Sequence, residues 1–568
     1  MGDIYDQKPW LKQYDSHVPA SLKYPGLTFW EAVKEAFERF PKRKALWYMG
    51  TPFTFSQLNA MSNRFAALLG KAGVKAGDIV GVNLPNLPAY YVAALGIQKA
   101  GCVLSGVSPL LTEEELKYQL KDSQAKALVT LDAMFPRIVR VAPDTELKAI
   151  VFTSILDYIP QPIKTLAKLS KKVPTGKVAP IAGKEVWLFT DVMKKLPADP
   201  VEVKVSPDDT CAMQYTGGTT GMPKGAELTH RNMVSQMTQV TTWLNTPMGE
   251  QIGLTAMPLF HIAGLVMSLA MFSKALTQVA VPNPRDQAFI IKWMKKVKPH
   301  IIGNVPTVFL ELMKKPEFRS YDFSGVQYFV SGAAPFPPEY IKEFESVVGE
   351  SKLIEVYGLT ETSPILTAGP FKGKKKPGSV GLPLPDTEIK IVDASTGEVM
   401  PFGEPGEIIC RGPQVFTKGY YRKPEETTNA IRNGWFHTCD IGQMDEQGYL
   451  FVVDRLKDMV NVSGFKVFTR QLDDIICEYP NVDMGATVGI PDPDRPGSEI
   501  VASAIVLKPG VEKSEDEKKK ITEYLRERVA PYKVPKKIVF MDTLPTSAIG
   551  KILKRELRSQ MAKEAEKK

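Results

Sequence analysis

The densest concentration of chemistry-bearing residues is the stretch from Tyr215 to His230, YTGGTTGMPKGAELTH. Gly217, Gly218 and Gly221 let backbone N–H groups converge on a polyanion, Thr216, Thr219 and Thr220 add hydroxyl donors, and Lys224 supplies a mobile positive charge. This reads as a phosphate cradle. It is not a Walker A loop, because Met222 and Pro223 separate Gly221 from Lys224 and no Ser or Thr follows the lysine. A second constellation is IEVYGLTE, in which Glu355, Val356, Tyr357, Gly358, Leu359 and Thr360 lead to Glu361. It offers an aromatic ring to stack on a base and a carboxylate for a magnesium ion. Upstream, Gly332, Ala333 and Ala334 are small enough for a flat ring to lie against the backbone. Downstream, Asp440 has two oxygens at the separation of a pair of ribose hydroxyls, and Arg455 can reach the same sugar or a phosphate. Taken singly, the glycine-rich loop reads equally as a surface loop, while Asp440 or Arg455 in isolation is ordinarily a member of a surface ion pair.

These residues require elements that place loop ends side by side, and the flanking sequence supplies them. Apolar residues at helical spacing in FWEAVKEAFERF, a helix over 56–71 and a helix over 89–99 alternate with strand-like LWYMG, IVGVNLP and CVLSGVSP. That rhythm predicts an α/β fold of parallel sheets covered by helices. A half-apolar strand leads into the phosphate loop and a helix over 232–244 follows it. Tyr357, Thr360 and Glu361 fall on a strand end and the loop after it. From Gly381 to Arg411 the chain changes to short strands and turns, as in a small β-barrel lobe. His261 heads an apolar helix; a histidine in that setting is ordinarily a satisfied core residue.

At 568 residues the chain exceeds one core and predicts several lobes. Hydrophobic content of 43% and charged content of 24% are those of a globular protein. The net charge of +9 suits acidic ligands, but no basic stripe with interleaved aromatics argues for nucleic acid. Five scattered cysteines without a Cys-x-x-Cys pair fit a reducing cytoplasm. The N-terminus carries no signal-peptide pattern, and the apolar run 262–272 is shorter than the roughly 18 residues a spanning helix needs. The lysine-rich segment 164–184 reads first as a solvated loop, and is the place where peripheral association at the inner membrane face would fall.

The order TGGTTG-x-x-KG, with YGLTE downstream, resembles the signature of the acyl-adenylate-forming superfamily, which contains acyl-CoA synthetases, nonribosomal peptide adenylation domains and luciferases. MPLFHIAG and GWFHTCDIGQMDEQGYLFVVDRLKDM are most similar to its fatty-acyl-CoA synthetase branch, the long-chain fatty acid:CoA ligases. The resemblance runs nearly from end to end. It implies a large N-terminal domain over 1–456, made of stacked α/β subdomains plus a β-barrel-like lobe at about 370–456. A small mobile α+β C-terminal domain over 457–568 would hinge near Lys457, exposed to water as a pivot. It also implies ATP-dependent activation of a medium- or long-chain fatty acid, with Mg2+, and transfer of the acyl group to CoA.

On the same resemblance Thr216 and Glu361 complete the magnesium shell, Lys551 bridges the substrate carboxylate and the α-phosphate, and His261 lies near the acyl group. Ser463, Gly464 and Lys466 would line the path of CoA, with Gly464 admitting the pantetheine arm along the backbone. Three departures from the family pattern stand out. Cys439 stands where glycine is usual, Thr469-Arg470-Gln471 replaces Pro-x-Glu, and Ile549 replaces a small or hydroxyl residue before Gly550. An acyl-AMP ligase loading a separate carrier protein and a non-catalytic nucleotide-binding protein stay open as alternatives, as does a homodimer.

Overall fold

The structure is a computed structural model. It describes residues 3–161, 164–166, 173–201, 203–216, 222–334, 336, 338–462, 465–492, 495, 498–547 and 552–566. Two large sheets dominate. The first runs in the order Glu185–Leu188, Ala149–Thr153, Ala127–Leu131, Ile79–Asn83, Val103–Gly106, Thr210–Thr216, Lys224–Thr229. All its pairs are parallel except the last. The second has nine strands, parallel from Leu353–Tyr357 through Lys44–Tyr48, with antiparallel strands added at both ends. Parallel strands need helical crossovers, and the apolar runs IVGVN, ALVTL and AIVFT are buried on both faces as that arrangement demands.

Alternation along these strands divides the core. Val80, Val82 and Val129 share one large cluster with Leu46, Tyr328, Val330 and Ile354 of the second sheet. Ile79, Leu128 and Ile150 face the other way into a separate cluster. The two sheets therefore enclose a shared helical layer. This explains why Pro88–Lys99 is buried along its whole length and why Ile262–Ser273 is apolar all round rather than amphipathic. The outer face of the nine-stranded sheet is covered by Gln287–Val297, Pro306–Met313 and Pro338–Val348.

The lobe expected as a β-barrel is a five-stranded antiparallel sheet whose ladder does not close among the described residues. Its strands are Glu388–Val392, Gly406–Arg411, Trp435–Met444, Ile431–Arg432 and Leu450–Arg455. The N-terminal turns dock on this lobe: the Tyr5 hydroxyl donates to the Met400 carbonyl at 3.1 Å, and Lys8 pairs with Glu388 at 2.9 Å. Beyond it, Val482–Pro491 pairs with Glu499–Leu507 and that strand with Lys537–Phe540, giving a small three-stranded sheet packed by Thr469–Glu478. Mixed α/β layers and a small C-terminal α+β unit are thus the observed architecture. Among the described residues no helix is long and apolar enough to cross a membrane. The lysine-rich segment 164–184 lies partly outside the described residues.

Candidate functional site

The phosphate loop joins two antiparallel strands, not a strand and a helix as the sequence suggested. Thr216 pairs with Lys224 and Tyr215 with Gly225, and only after Thr229 does the helix His230–Trp243 begin. Thr229 caps it through a reciprocal pair of bonds with Asn232. Thr216 and Lys224 therefore stand opposite one another at the mouth of this hairpin. Gly217, Gly218, Thr219, Thr220 and Gly221 lie outside the described residues, as do Ser463, Gly464 and Lys551; the side chain of Lys466 does too.

Lys224 is only partly exposed. Its Nζ lies 2.6 Å from Glu426 Oε2 and 4.7 Å from the centre of the Tyr420 ring. The Tyr420 hydroxyl in turn donates to Glu361 Oε1 at 2.7 Å. Burial pushes the Glu361 carboxyl upward, while the Tyr420 bond and the Lys224 charge act in the opposite direction. Tyr420 is brought here by backbone pairing of Gly419 and Tyr421 with Glu227 and Gly225, and by an isolated bridge to Ala226. Tyr420 and Glu426 have no counterpart among the residues expected from sequence. The aromatic GYY triplet before a short helix carries no chemical pattern of its own, and only the bridge to the hairpin gives it meaning.

A second chain of contacts lies on the other side. Tyr357 ends the strand Leu353–Tyr357, and its hydroxyl donates to Asp440 Oδ2 at 2.8 Å. Asp440 is buried, faces Arg455 across the ladder, and approaches its Nε at 3.3 Å. Cys439 has a φ of 57°, the left-handed region, which is the physical reason glycine suits this position. Thr360 and Glu361 fall in a single 3-10 turn after Leu359. Gly358 is obligatory: a Cβ there would lie 1.8 Å from the Pro364 carbonyl oxygen.

Ala333 is left-handed too, with φ 69°, and a Cβ on Gly332 would come within 2.6 Å of Val356 Cγ2. Glu355 accepts from the Phe336 N–H at 3.2 Å and is pushed up to about 7 by burial. His261 sits at the N-cap of Ile262–Ser273 with no capping bond from its side chain, its ring 5.0 Å from that of Phe260. Burial lowers its pKa to about 4, so it is neutral at pH 7. Asn86 fixes the turn before it, donating to the Met257 carbonyl at 3.0 Å and accepting from Leu259 N–H at 2.8 Å. Behind Val356 lies a small apolar cavity of about 10 Å³ between the two central helices and the nine-stranded sheet, lined also by Val240, Leu244, Met267, Val330 and Ile365.

Lys457 is half-buried rather than exposed as expected, and burial lowers the pKa of its ammonium. Its carbonyl accepts from Arg558 Nη2 at 3.2 Å. Of the expected residues, the fold thus groups Lys224 with Glu361 through Tyr420, and Tyr357 with Asp440 and Arg455. The donors available to a metal are the Thr216 hydroxyl and the Glu361 carboxylate, both hard oxygens suited to magnesium. Among the described residues no group of three or more His, Cys, Asp or Glu is placed to hold an ion unaided. An ion that takes its remaining ligands from phosphate and water fits this donor set.

The chain is similar to known proteins along nearly its whole length. Residues 33–421 match the AMP-binding enzyme family and residues 471–551 its C-terminal domain. The chain is 36% identical over 561 residues to a long-chain-fatty-acid–CoA ligase of Bacillus subtilis, covering 98% of each. It is likewise 36% identical over 562 residues to the enzyme of that name from Escherichia coli O157:H7, again covering 98% of each. Among solved structures, the anthranilate CoA ligase AuaEII in complex with anthranoyl-AMP superimposes with a TM-score of 0.83 at 25% identity, covering 97% of this chain and 99% of that one.

Proposed function

The chain belongs to the AMP-binding enzyme family, and we propose that it is an AMP-forming acid–thiol ligase that joins a medium- or long-chain fatty acid to CoA at the expense of ATP. One observation carries the reading: Lys224–Tyr420–Glu361 and Tyr357–Asp440–Arg455 gather the cationic, acidic and aromatic groups a magnesium nucleotide needs. A nucleotide meets cationic and acidic groups there. Two ligases of this name at 36% identity support the same substrate class.

A carboxylate is a poor electrophile. Its oxygen attacks the α-phosphorus of ATP, the bond to the bridging oxygen breaks, and pyrophosphate leaves. The protein's task in such a displacement is to position reactants and offset charge on phosphate oxygens. Thr216 through Gly221 and Lys224 hold the β- and γ-phosphates, Tyr357 and the Gly332–Ala334 backbone receive the adenine, and Asp440 and Arg455 the ribose. Thr216 and Glu361 would hold magnesium, which would offset charge on the phosphate oxygens. Lys551 bridges the carboxylate and the α-phosphate. In the second half the CoA thiolate attacks the acyl carbon and AMP leaves. We place the domain boundary at Lys457, about which residues 457–568 turn to exchange Lys551 for the loop at Ser463, Gly464 and Lys466.

The test is a panel of acids of graded chain length, assayed for AMP with and without CoA. AMP release dependent on CoA and greatest for medium or long chains supports the proposal. CoA-independent product with a carrier protein, or an optimum on short or aromatic acids, overturns it. Lys551→Ala should abolish ATP–pyrophosphate exchange yet leave CoA attack on supplied acyl-adenylate largely intact; equal loss of both defeats the assignment of Lys551.

A further inference from the structure

We propose that Tyr420 is a positioning residue that holds Glu361 and Lys224, the acidic and basic halves of the Mg–ATP site, in register. This rests on the reading of Glu361 as a magnesium ligand and Lys224 as a phosphate ligand. One side chain serves both. Its hydroxyl fixes Glu361 Oε1 at 2.7 Å, and its ring carries the Lys224 ammonium at 4.7 Å. The contact to Glu361 is buried: Tyr420 is 8% exposed and Glu361 6%.

The residue is itself tightly placed. Its N–H donates to Thr427 Oγ1 at 2.9 Å, and its neighbour Tyr421 donates from N–H to the Gly225 carbonyl at 2.8 Å. The ring packs edge-on to Phe416, 5.2 Å between centres, and the Phe416 N–H donates to the Glu361 carbonyl at 2.8 Å. Glu361 is therefore held through both its backbone and its side chain by the segment that also borders the phosphate hairpin. A carboxylate with one oxygen so fixed has a set orientation, and loss of such outer partners of metal ligands typically costs 10- to 100-fold in metal affinity. The ring face and Glu426, 2.6 Å from Nζ, together hold the Lys224 ammonium beside the hairpin mouth.

The two functions separate by mutation. Tyr420→Phe keeps the ring and removes the hydroxyl; Tyr420→Leu removes both. Binding of ATP to the full chain is measured by isothermal titration calorimetry with EDTA and with Mg2+, beside thermal unfolding of each variant. The expected result for Tyr420→Phe is metal-free ATP affinity within about twofold of the parent and Mg–ATP affinity lowered about tenfold. For Tyr420→Leu both fall. A Tyr420→Phe variant that binds Mg–ATP like the parent, or loses metal-free ATP affinity equally, overturns the proposal. Failure of the underlying reading looks different: the parent itself would then bind ATP with the same affinity with and without Mg2+.

Discussion

The Tyr357 hydroxyl donates to Asp440 Oδ2 at 2.8 Å, so the residue expected under the adenine and the residue expected at the ribose are bonded directly to each other. They come from different sheets, Tyr357 from the end of the nine-stranded sheet and Asp440 from the middle of the five-stranded lobe. The bond therefore ties the lobe to the large α/β unit and sets the orientation of the carboxylate.

The two partners should be separable. Tyr357→Phe keeps the ring but leaves a buried carboxylate one donor short, which should cost about 1–3 kcal/mol in unfolding free energy and leave ATP affinity within a few-fold. Asp440→Ala removes the ribose acceptor itself and should weaken ATP about tenfold or more. Urea unfolding and equilibrium ATP binding on both variants decide it; equal losses of ATP affinity would sink the assignment of Asp440 to the nucleotide.

Cys439 occupies a left-handed backbone with φ 57°, beside a bulge where the register of its strand shifts. Its N–H donates to Glu407 Oε1 at 3.2 Å and its carbonyl accepts from Leu456 at 3.0 Å, so the conformation is held from both sides. Glycine adopts it without the Cβ clash, worth roughly 1–2 kcal/mol, against a loss of up to about 1 kcal/mol in unfolded-chain entropy. Cys439→Gly should therefore raise the unfolding free energy by up to about 1 kcal/mol, read as a small rise in the urea midpoint. A clear fall in the midpoint would show that the thiol has a packing role that outweighs the strain.

His230 gives stability a pH dependence of known sign. It is buried, the Phe29 N–H donates to its Nδ1 at 3.0 Å, and burial lowers its pKa from 6.5 to about 4. Protonating Nδ1 would break that bond, so between pH 6.5 and 4 the unfolded chain binds more protons and stability falls as pH falls. The loss amounts to about 3 kcal/mol at most. His261 adds a term of the same sign, its pKa also lowered to about 4. Glu355, raised to about 7, contributes the opposite sign from its ordinary 4.5 upward. The informative measurement is the difference between parent and His230→Gln in urea unfolding at several pH values. It should shrink as pH falls from 6.5 to 4, and a constant difference would refute the linkage.

The candidate loops stand out in the sequence because their chemistry is written in short runs: a glycine–threonine cluster before Lys224, an aromatic four residues before Glu361. What holds them does not. Asn232, Gln236 and Gln239 look like the solvent face of a helix, yet all three are buried. Asn232 donates to the carbonyls of Pro413 and Val415, Gln236 accepts from Ile365 N–H at 2.7 Å, and Gln239 donates to the Pro385 carbonyl at 2.7 Å. Amides replace water for loop backbone that the fold buries, and the partners lie more than a hundred residues away, beyond any local pattern. Tyr420 escaped for the same reason: Glu361 is 59 positions distant. The antiparallel return strand Lys224–Thr229 was hidden because its charge and glycine mimic a loop.

Thr469 donates its backbone N–H and its hydroxyl to Asp454 Oδ2, the hydroxyl at 2.9 Å, and accepts from Lys554 Nζ at 2.7 Å. Asp454 precedes the proposed pivot Lys457 and Thr469 follows it, so any rotation there must break these bonds. Thr469 opens the helix Thr469–Glu478, a position where proline is tolerated, and Phe468 before it is already extended at φ −82°, ψ 113°. Thr469→Pro should therefore leave the helix intact while removing both donors from a buried carboxylate. Each such bond to a charged acceptor is worth about 1.5–3 kcal/mol, which predicts an increase of about tenfold or more in the rate of limited proteolysis between residues 455 and 468. Thr469→Val, which keeps the N–H, should fall between. Arg470 N–H, at 3.3 Å from the same oxygen, remains in both variants. If Thr469→Pro is cleaved as slowly as the parent while unfolding at the same temperature, the contact does not restrain the C-terminal unit, and the family's proline at this position would need no compensating bond.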